Sequence, residues 1–399
     1  MCYKLKTENK GINTMNLIDT TKELKSACKI LKKQKVIAID CEFIREKTYY
    51  PLPCLIQVGY EEGSFLIDPL AKDIDYEDFF SLLQNKKIIK VFHSGRQDIE
   101  ILYNLSGKVP TPVFDTQIAA QVCGLGESVS YENLVRVYCG VELDKSCRLT
   151  NWQIRPLSEK QLEYAANDVV HLVKCYNKII NYLKENNRVN WIEEDLQDLI
   201  DVSHYDIDVN NAWSRIRHNN HSTMFLNVLK ALASWREARA MTKNVTRQNI
   251  MKDDLLLNIA TSFPKTIEEL KQVRGMRSDV IKGVYATEIL EVLNSLSEED
   301  FDKNLSKQDK EKDVNLTANQ QSLYEILKLL LKIKSNEHGV VAHLITSEKN
   351  LRKYVKNPKA KNQILKGWRY EIFGKVAEEF GTGKLSITYS PEKHNVVIQ

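Results

Sequence analysis

The sequence predicts an α/β domain, a mixed sheet flanked by helices, followed by two all-α domains. Three observations carry this. Short apolar runs alternate with helical patterns through the first half, and strand signals nearly vanish beyond about residue 205. A chain of 399 residues also exceeds what one ordinary core holds, so two or three domains are expected.

Residues 1–15 are polar and lack the apolar segment of a secretion signal, so they read as a disordered extension. Met15 offers an internal start, because the capping pattern Thr20-Thr21-Lys22-Glu23 opens a helix-like stretch just beyond it. Val36–Cys41, Cys54–Tyr60, Ser64–Ile67 and Ile88–Phe92 are short apolar runs bounded by turn residues, hence strands. Glu61-Glu62-Gly63 is a hairpin turn, which makes the sheet partly antiparallel. Helical patterns cover Tyr76–Gln84, Gln97–Leu105, Thr116–Cys123, Tyr131–Tyr138 and Ser158–Glu185. The last carries an apolar stripe, from Leu162 through Ala165, Ala166, Val169, Leu172 and Val173 to Tyr176, and a capping box at Ser158. The α/β domain is placed at 16–205, a first helical domain at 215–297, a charged linker at 301–313 and a second helical domain at 314–385. Beyond Gly381 the pattern is weak and reads as a flexible tail.

Hydrophobic content of 43% and charged content of 28% fit a soluble globular protein, and no apolar stretch reaches the roughly 18–20 residues of a bilayer span. Eight cysteines, none at CxxC spacing, suit scattered reduced thiols in the cytoplasm rather than a zinc site or disulfide framework. The net charge is only +4, yet two stretches are strongly basic. Asn211 to Arg247 holds seven basic residues against Glu237, and Lys349 to Arg369 holds eight with no acid. Such runs suit a polyanion, although a solvated face would look the same.

The chemistry starts at Asp40-Cys41-Glu42, which closes the apolar run Val36-Ile37-Ala38-Ile39. Residues i and i+2 of a strand share a face, so the two carboxylates project together and repel unless a cation sits between them. Asp98 falls at the first turn of a helix after His93-Ser94-Gly95-Arg96-Gln97. Asp168 interrupts the apolar stripe of the long helix, and Tyr164 lies one turn before it on the same face. Converged in one cleft, four acids call for two Mg²⁺ or Mn²⁺ ions, the arrangement that clamps both oxygens in a phosphoryl displacement. Tyr164, with a phenol pKa ordinarily about 10, suits orienting the attacking water.

These residues carry a family resemblance. Ile37-Ala38-Ile39-Asp40-Cys41-Glu42-Phe43, Val91 through Glu100, and Tyr164-Ala165-Ala166-Asn167-Asp168 resemble the three exonuclease motifs of the DEDD superfamily. Tyr164 places the chain in the tyrosine branch, since Glu163 occupies the position of the alternative histidine. Glu42 through Pro51, Cys54-Leu55-Ile56-Gln57 and Phe114-Asp115-Thr116-Gln117 are similar to bacterial ribonuclease D. Leu232 through Ala240 and the helices to Leu293 resemble an HRDC domain, and Gly367 through Gly374 resembles the divergent second HRDC-like unit of that family. The resemblance implies a ribonuclease H-like exonuclease domain and a monomer that hydrolyses RNA from its 3′ ends, tRNA precursors included, with release of 5′-mononucleotides. It also implies that Asp40, Glu42, Asp98 and Asp168 bind metal and Tyr164 positions water. Phe43, Gln57, Phe92, His93, Arg236 and Arg239 are further candidates for substrate contact.

Each feature has a plainer explanation in isolation. A D-x-E pair arises by chance, Asp98 suits a helix N-terminus, and Tyr164 with Asp168 could be a buried hydrogen-bonded pair. His93 and His171 read as structural, and Asp115 as a helix cap. The three motifs together, in order, favour the nuclease. A DNA exonuclease with the same acids, or a binding protein that kept the fold, are the alternatives.

Overall fold

The computed structural model describes residues 14–399 apart from 221, 298, 300, 306–314 and 393. Its first domain is built on a six-stranded sheet in the order β1-β4-β3-β2-β5-β6. The strands are Thr14–Ile18 (β1), Val36–Ile44 (β2), Leu52–Tyr60 (β3), Gly63–Ile67 (β4), Ile89–Phe92 (β5) and Val113–Asp115 (β6). β3 pairs antiparallel with both β2 and β4, and the other pairings are parallel. The expected hairpin joins β3 to β4, with Tyr60 opposite Gly63.

Two strands differ from expectation. Thr14 and Met15 pair with Gly63 and Ser64, so the extension placed at 1–15 ends before β1, and its residues 1–13 lie outside the described residues. β6 has three residues, too few for an alternating pattern to register.

The helices of this domain are Thr21–Leu31 (α1), Glu77–Leu83 (α2), Arg96–Ser106 (α3), Thr116–Val122 (α4), Tyr131–Cys139 (α5), Glu159–Glu185 (α6) and Glu193–Leu199 (α7). One sheet face buries Ile37, Ile39 and Cys41 with α1, α2 and α3, and the other packs Ala38 and Val91 against α6. α6 begins at the expected capping box, in which the Ser158 side chain accepts from the Gln161 N–H and Gln161 reaches back to the Ser158 N–H. Its apolar stripe seats on the sheet through Val169, Leu172 and Val173.

Gly59 on β3 sets how closely α6 approaches, because a Cβ there would lie 2.5 Å from the Val169 carbonyl oxygen. Gly59→Ala must push β3 and α6 apart beside Asp168. The expected cost is about 1–3 kcal/mol by thermal or denaturant unfolding, with a drop in activity larger than the unfolded fraction explains.

The first helical domain comprises Thr223–Lys243 (α8), Arg247–Ile250 (α9), Asp253–Ser262 (α10), Ile267–Gln272 (α11), Ser278–Lys282 (α12) and Val284–Asn294 (α13). It docks on the loop that follows β2. Tyr49 joins its core, the Tyr49 hydroxyl donates to the buried Glu237 carboxylate, and Arg247 Nε donates to the same group at 2.5 Å. Asn244 Oδ1 accepts from the Tyr49 and Tyr50 N–H groups, each at 3.1 Å. Burial opposes ionisation of Glu237, but hydrogen bonds from Arg247 and Tyr49 outweigh it and hold the carboxyl below its usual pKa.

Phe301 and Leu305 pack on this domain, and Asp302 exchanges backbone hydrogen bonds with the Asn227 side chain. The linker placed at 301–313 therefore opens as part of the domain, and its residues 306–313 lie outside the described residues.

The second helical domain repeats the opening of the first. Ala318–His338 (α14), Ala342–Ile345 (α15) and Glu348–Lys356 (α16) each start 95 residues after α8, α9 and α10. α8 and α14 both end in a left-handed cap, Asn244 and Gly339. α9 and α15 both end in an extended residue, Met251 and Thr346. Lys375–Gly381 (α17) completes the domain. The tail expected to be flexible forms an antiparallel hairpin instead, Ile387–Ser390 (β7) with Asn395–Ile398 (β8).

This second domain shares a continuous core with α4, α5 and α6. Trp368 stacks on Trp191 with centroids 4.7 Å apart, and the buried Arg369 pairs with Glu194 at 2.6 Å and Asp195 at 3.1 Å.

Candidate active site

β2 delivers Asp40 and Glu42 on the face toward α6, as strand alternation requires, with Cys41 buried on the opposite side. A register irregularity between Glu42 and Phe43 ends regular pairing just past the second acid. α6 supplies Asp168. One carboxylate oxygen from each of Asp40, Glu42 and Asp168 lies within 4.8 Å of the others. α3 supplies Asp98, 7% exposed, close enough to Asp40 for their charges to oppose each other.

Asp115 positions that fourth acid. Its buried carboxylate caps α4 and also accepts from the Ser94 and Gly95 N–H groups, which fixes the entry to α3. Capping is thus its role here, as its place before Thr116 and Gln117 suggests.

Electrostatics define what this cluster calls for. Burial, then the charges of Asp40, Asp168 and Asp98, pushes Glu42 up to about 9. Burial, then the charge of Asp40, drives Asp98 and Asp168 well above the usual carboxylate range. Burial also raises Asp40. Four carboxylates so placed cannot all be ionised without counter-charge, and convergent oxygen donors are what a hard divalent cation binds. The residues fit such an ion.

Tyr164 stands one helical turn before Asp168, its ring 6.0 Å from that of Trp152. Burial, then the charges of Asp168, Glu42 and Asp40, pushes the phenol upward, so it stays protonated at neutral pH.

The remaining sequence candidates sit differently. Phe92 is fully buried in the core between sheet and helices, so its ring cannot stack on a base. Gln57, opposite Asp40 on β3, is also fully buried, with no hydrogen-bond partner for its amide among the described residues. RNA cannot reach it. His93 uses both ring nitrogens internally, Nδ1 2.9 Å from Thr116 Oγ1 and Nε2 3.0 Å from the Val129 carbonyl.

Arg236 is 4% exposed and donates to the Met251 carbonyl and Asp253, while Arg239 pairs with Glu288. Arg236 braces the first helical domain from within, and Arg239, partly exposed, braces it at its surface. Phe43, half-buried at the end of β2, follows Glu42 directly but packs partly against the core on the sheet face opposite the acids, with the rest of its ring open. One neighbour that the motifs did not single out is Arg148, whose charge bears on Glu42, Tyr164 and Asp168.

A mixed sheet presenting three convergent acids, a fourth beside them and an adjacent tyrosine defines a 3′→5′ exonuclease that uses divalent metal. Residues 15–184 match the family described as 3′-5′ exonuclease, and residues 225–293 match the HRDC domain. The chain belongs to the ribonuclease D family. It is 39% identical to ribonuclease D of Bartonella henselae, over 96% of this chain and 93% of that protein. It is 38% identical to ribonuclease D of Sphingobium indicum, over 93% and 95%. The crystal structure of Escherichia coli RNase D, described as an exoribonuclease involved in structured RNA processing, superposes with a TM-score of 0.77 at 26% identity, covering 92% of this chain and 99% of that one. The protein is a 3′→5′ exoribonuclease. Among the described residues no helix is long and apolar enough to cross a membrane.

Proposed function

We propose that this exoribonuclease trims RNA 3′ ends one nucleotide at a time, acting as a cytoplasmic monomer on tRNA precursors and other structured RNAs. The observation that carries the reading is the convergence of Asp40, Glu42 and Asp168 beside Tyr164 within a single chain. Asp40, Glu42, Asp98 and Asp168 would hold two divalent ions, Mg²⁺ or Mn²⁺. When bound, these supply Lewis-acid stabilisation of the charge that develops at the phosphate.

The chain's own groups do the positioning. Tyr164 keeps its proton and orients the attacking water by hydrogen bonding. The water oxygen bonds to phosphorus and the bond from phosphorus to the penultimate 3′-oxygen breaks. The terminal nucleotide leaves with a 5′-phosphate and the shortened RNA ends in a 3′-hydroxyl. Phe43 offers its half-open ring to the terminal base.

The pairing and exposure of the basic residues support a phosphate-binding surface other than Arg236 and Arg239. In the first helical domain Arg236, Arg239 and Arg247 are committed to Asp253, Glu288 and Glu237. On α16, Lys349, Lys353 and Lys356 share one exposed face at i, i+4 and i+7, and Lys359, Lys361 and Lys366 follow. None of the six pairs with a carboxylate among the described residues. Replacing Lys349, Lys353 and Lys356 together by Gln should weaken RNA binding and reduce the slope of log K against log salt by about 2–3, close to one for each phosphate left without its lysine. Arg239→Gln should leave that slope unchanged. Fluorescence anisotropy across a salt series measures both.

The activity is tested with 3′-hydroxyl RNA, 3′-phosphate RNA and matched DNA, each with Mg²⁺, Mn²⁺ or EDTA. Stepwise shortening of 3′-hydroxyl RNA, with 5′-mononucleotides and only with metal, is the expected result. Internal cleavage, or equal turnover in EDTA, would refute the reading.

A further inference from the structure

The segment from Lys145 to Arg155 lies alongside the start of α6 and carries three cations that meet different fates. Lys145 pairs with Glu132 at 3.5 Å. Arg155 clamps Asp68 through two hydrogen bonds of 2.6 and 2.7 Å and also donates to the Cys54 and Trp152 carbonyls. Arg148 is exposed, and its guanidinium makes no ion pair or hydrogen bond with any described residue.

The turn that presents Arg148 is nonetheless fixed on both sides. Cys147 is buried at 6% exposure, and its carbonyl accepts from Thr150 through both the N–H at 3.1 Å and Oγ1 at 2.8 Å. Gln161 of α6 donates to Thr150 Oγ1 at 3.1 Å. Trp152, 3% exposed, lies against Tyr164. A guanidinium with no partner among the described residues is therefore held at the tip of a pinned turn, anchored by Gln161, one turn before Tyr164 on α6, and by the contact of Trp152 with Tyr164. Gln161, Tyr164 and Asp168, at i, i+3 and i+7, share one face of α6, so the turn held by Gln161 and packed on Tyr164 stands on the face that carries the acid.

Four carboxylates and two bound divalent ions would cancel, leaving no surplus positive charge for the phosphate. That group carries one negative charge in the ground state and gains more as the water attacks. We propose that Arg148 is a substrate-contacting residue of this site, its guanidinium pairing with a non-bridging oxygen of the scissile phosphate. Arginine suits this because its planar donors match two phosphate oxygens in a fixed geometry. The contact strengthens as charge builds, so it acts on turnover more than on binding.

This inference rests on the exoribonuclease reading, and the test separates them. Wild-type protein, Arg148→Gln and Leu149→Ser are compared on 3′-hydroxyl RNA in Mg²⁺, and Mn²⁺ binding to each without RNA is measured by calorimetry. Leu149, 95% exposed at the same tip, reports on disturbance of the turn without change of charge. Removing one pre-organised donor should lower kcat by about 10²-fold with KM changed less than about threefold, while Leu149→Ser stays close to wild type. Mn²⁺ should bind Arg148→Gln at least as tightly, since a positive charge beside the acids is gone. A kcat within about threefold of wild type overturns the assignment. So does an equal loss in Leu149→Ser, or a parallel loss of Mn²⁺ affinity in Arg148→Gln. Failure of the wild-type protein to shorten RNA would instead overturn the exoribonuclease reading itself.

Discussion

Asp40→Asn and Asp168→Asn should each abolish RNA hydrolysis while RNA binding survives. Each replaces a charged oxygen of the three-acid cluster with a neutral amide of the same shape, so the fold keeps its packing. The neutral amide donates where a cation needs an acceptor. Charge stabilisation by a catalytic metal is worth several kcal/mol, and at 1.36 kcal/mol per decade the rate should drop by roughly 10³-fold or more. The lysines of α16 proposed to bind phosphate are untouched by the substitution, so anisotropy with a 3′-hydroxyl RNA should change little. The same variants relieve buried like-charge repulsion, so their metal-free melting temperature should rise. The wild-type protein should gain stability from Mn²⁺, about 2.7 kcal/mol at a hundredfold excess over Kd, and the variants much less. Cleavage at wild-type rate by either variant would sink the proposed ligand set.

Tyr164→Phe is expected to cost the next largest amount, about 10²-fold in kcat with little change in KM. A positioned hydroxyl that contributes to proton handling at the attacking water commonly supplies 10²–10⁴-fold, and orientation without proton abstraction belongs at the low end. The substitution removes only the oxygen, and the ring keeps its place against Trp152. Metal binding should persist, because the acids are untouched. Calorimetry with Mn²⁺ separates this outcome from a collapse of the cluster, and an unchanged kcat would remove Tyr164 from the mechanism. Because burial and the surrounding acids hold the phenol protonated, the wild-type rate should show no step assignable to its ionisation between pH 6 and 9.

The acids of the cluster were legible because each is encoded locally. The turn between β3 and β4, the capping box of α6 and the spacing of Tyr164 to Asp168 all rest on residues within four positions of one another. Local patterns of period 2 and 3.6 then fix which side chains share a face. Substrate contacts had no such encoding. Arg236 and Arg239 looked free because the groups that bind them lie 17 and 49 residues away. Phe92 lies within the second motif and Gln57 pairs opposite Asp40 on β3, but both are fully buried. β1 and β6 sit at the two edges of the sheet and are defined by their partners, Gly63–Ile67 and Lys90–Phe92, more than by their own pattern.

By itself the sequence determined which acids and which tyrosine would gather in one cluster, and that an α/β domain would precede helical ones. Tertiary structure decided which cations remain available. A basic residue reads the same in sequence whether it is neutralised by a distant carboxylate or exposed to solvent. Only the folded chain shows that Arg236, Arg239 and Arg369 are paired with carboxylates, while Arg148 and the lysines of α16 stay exposed and unpaired among the described residues. The physical reason is that ion pairing depends on distance in space, and in this chain the deciding partners are brought near by folding rather than by sequence.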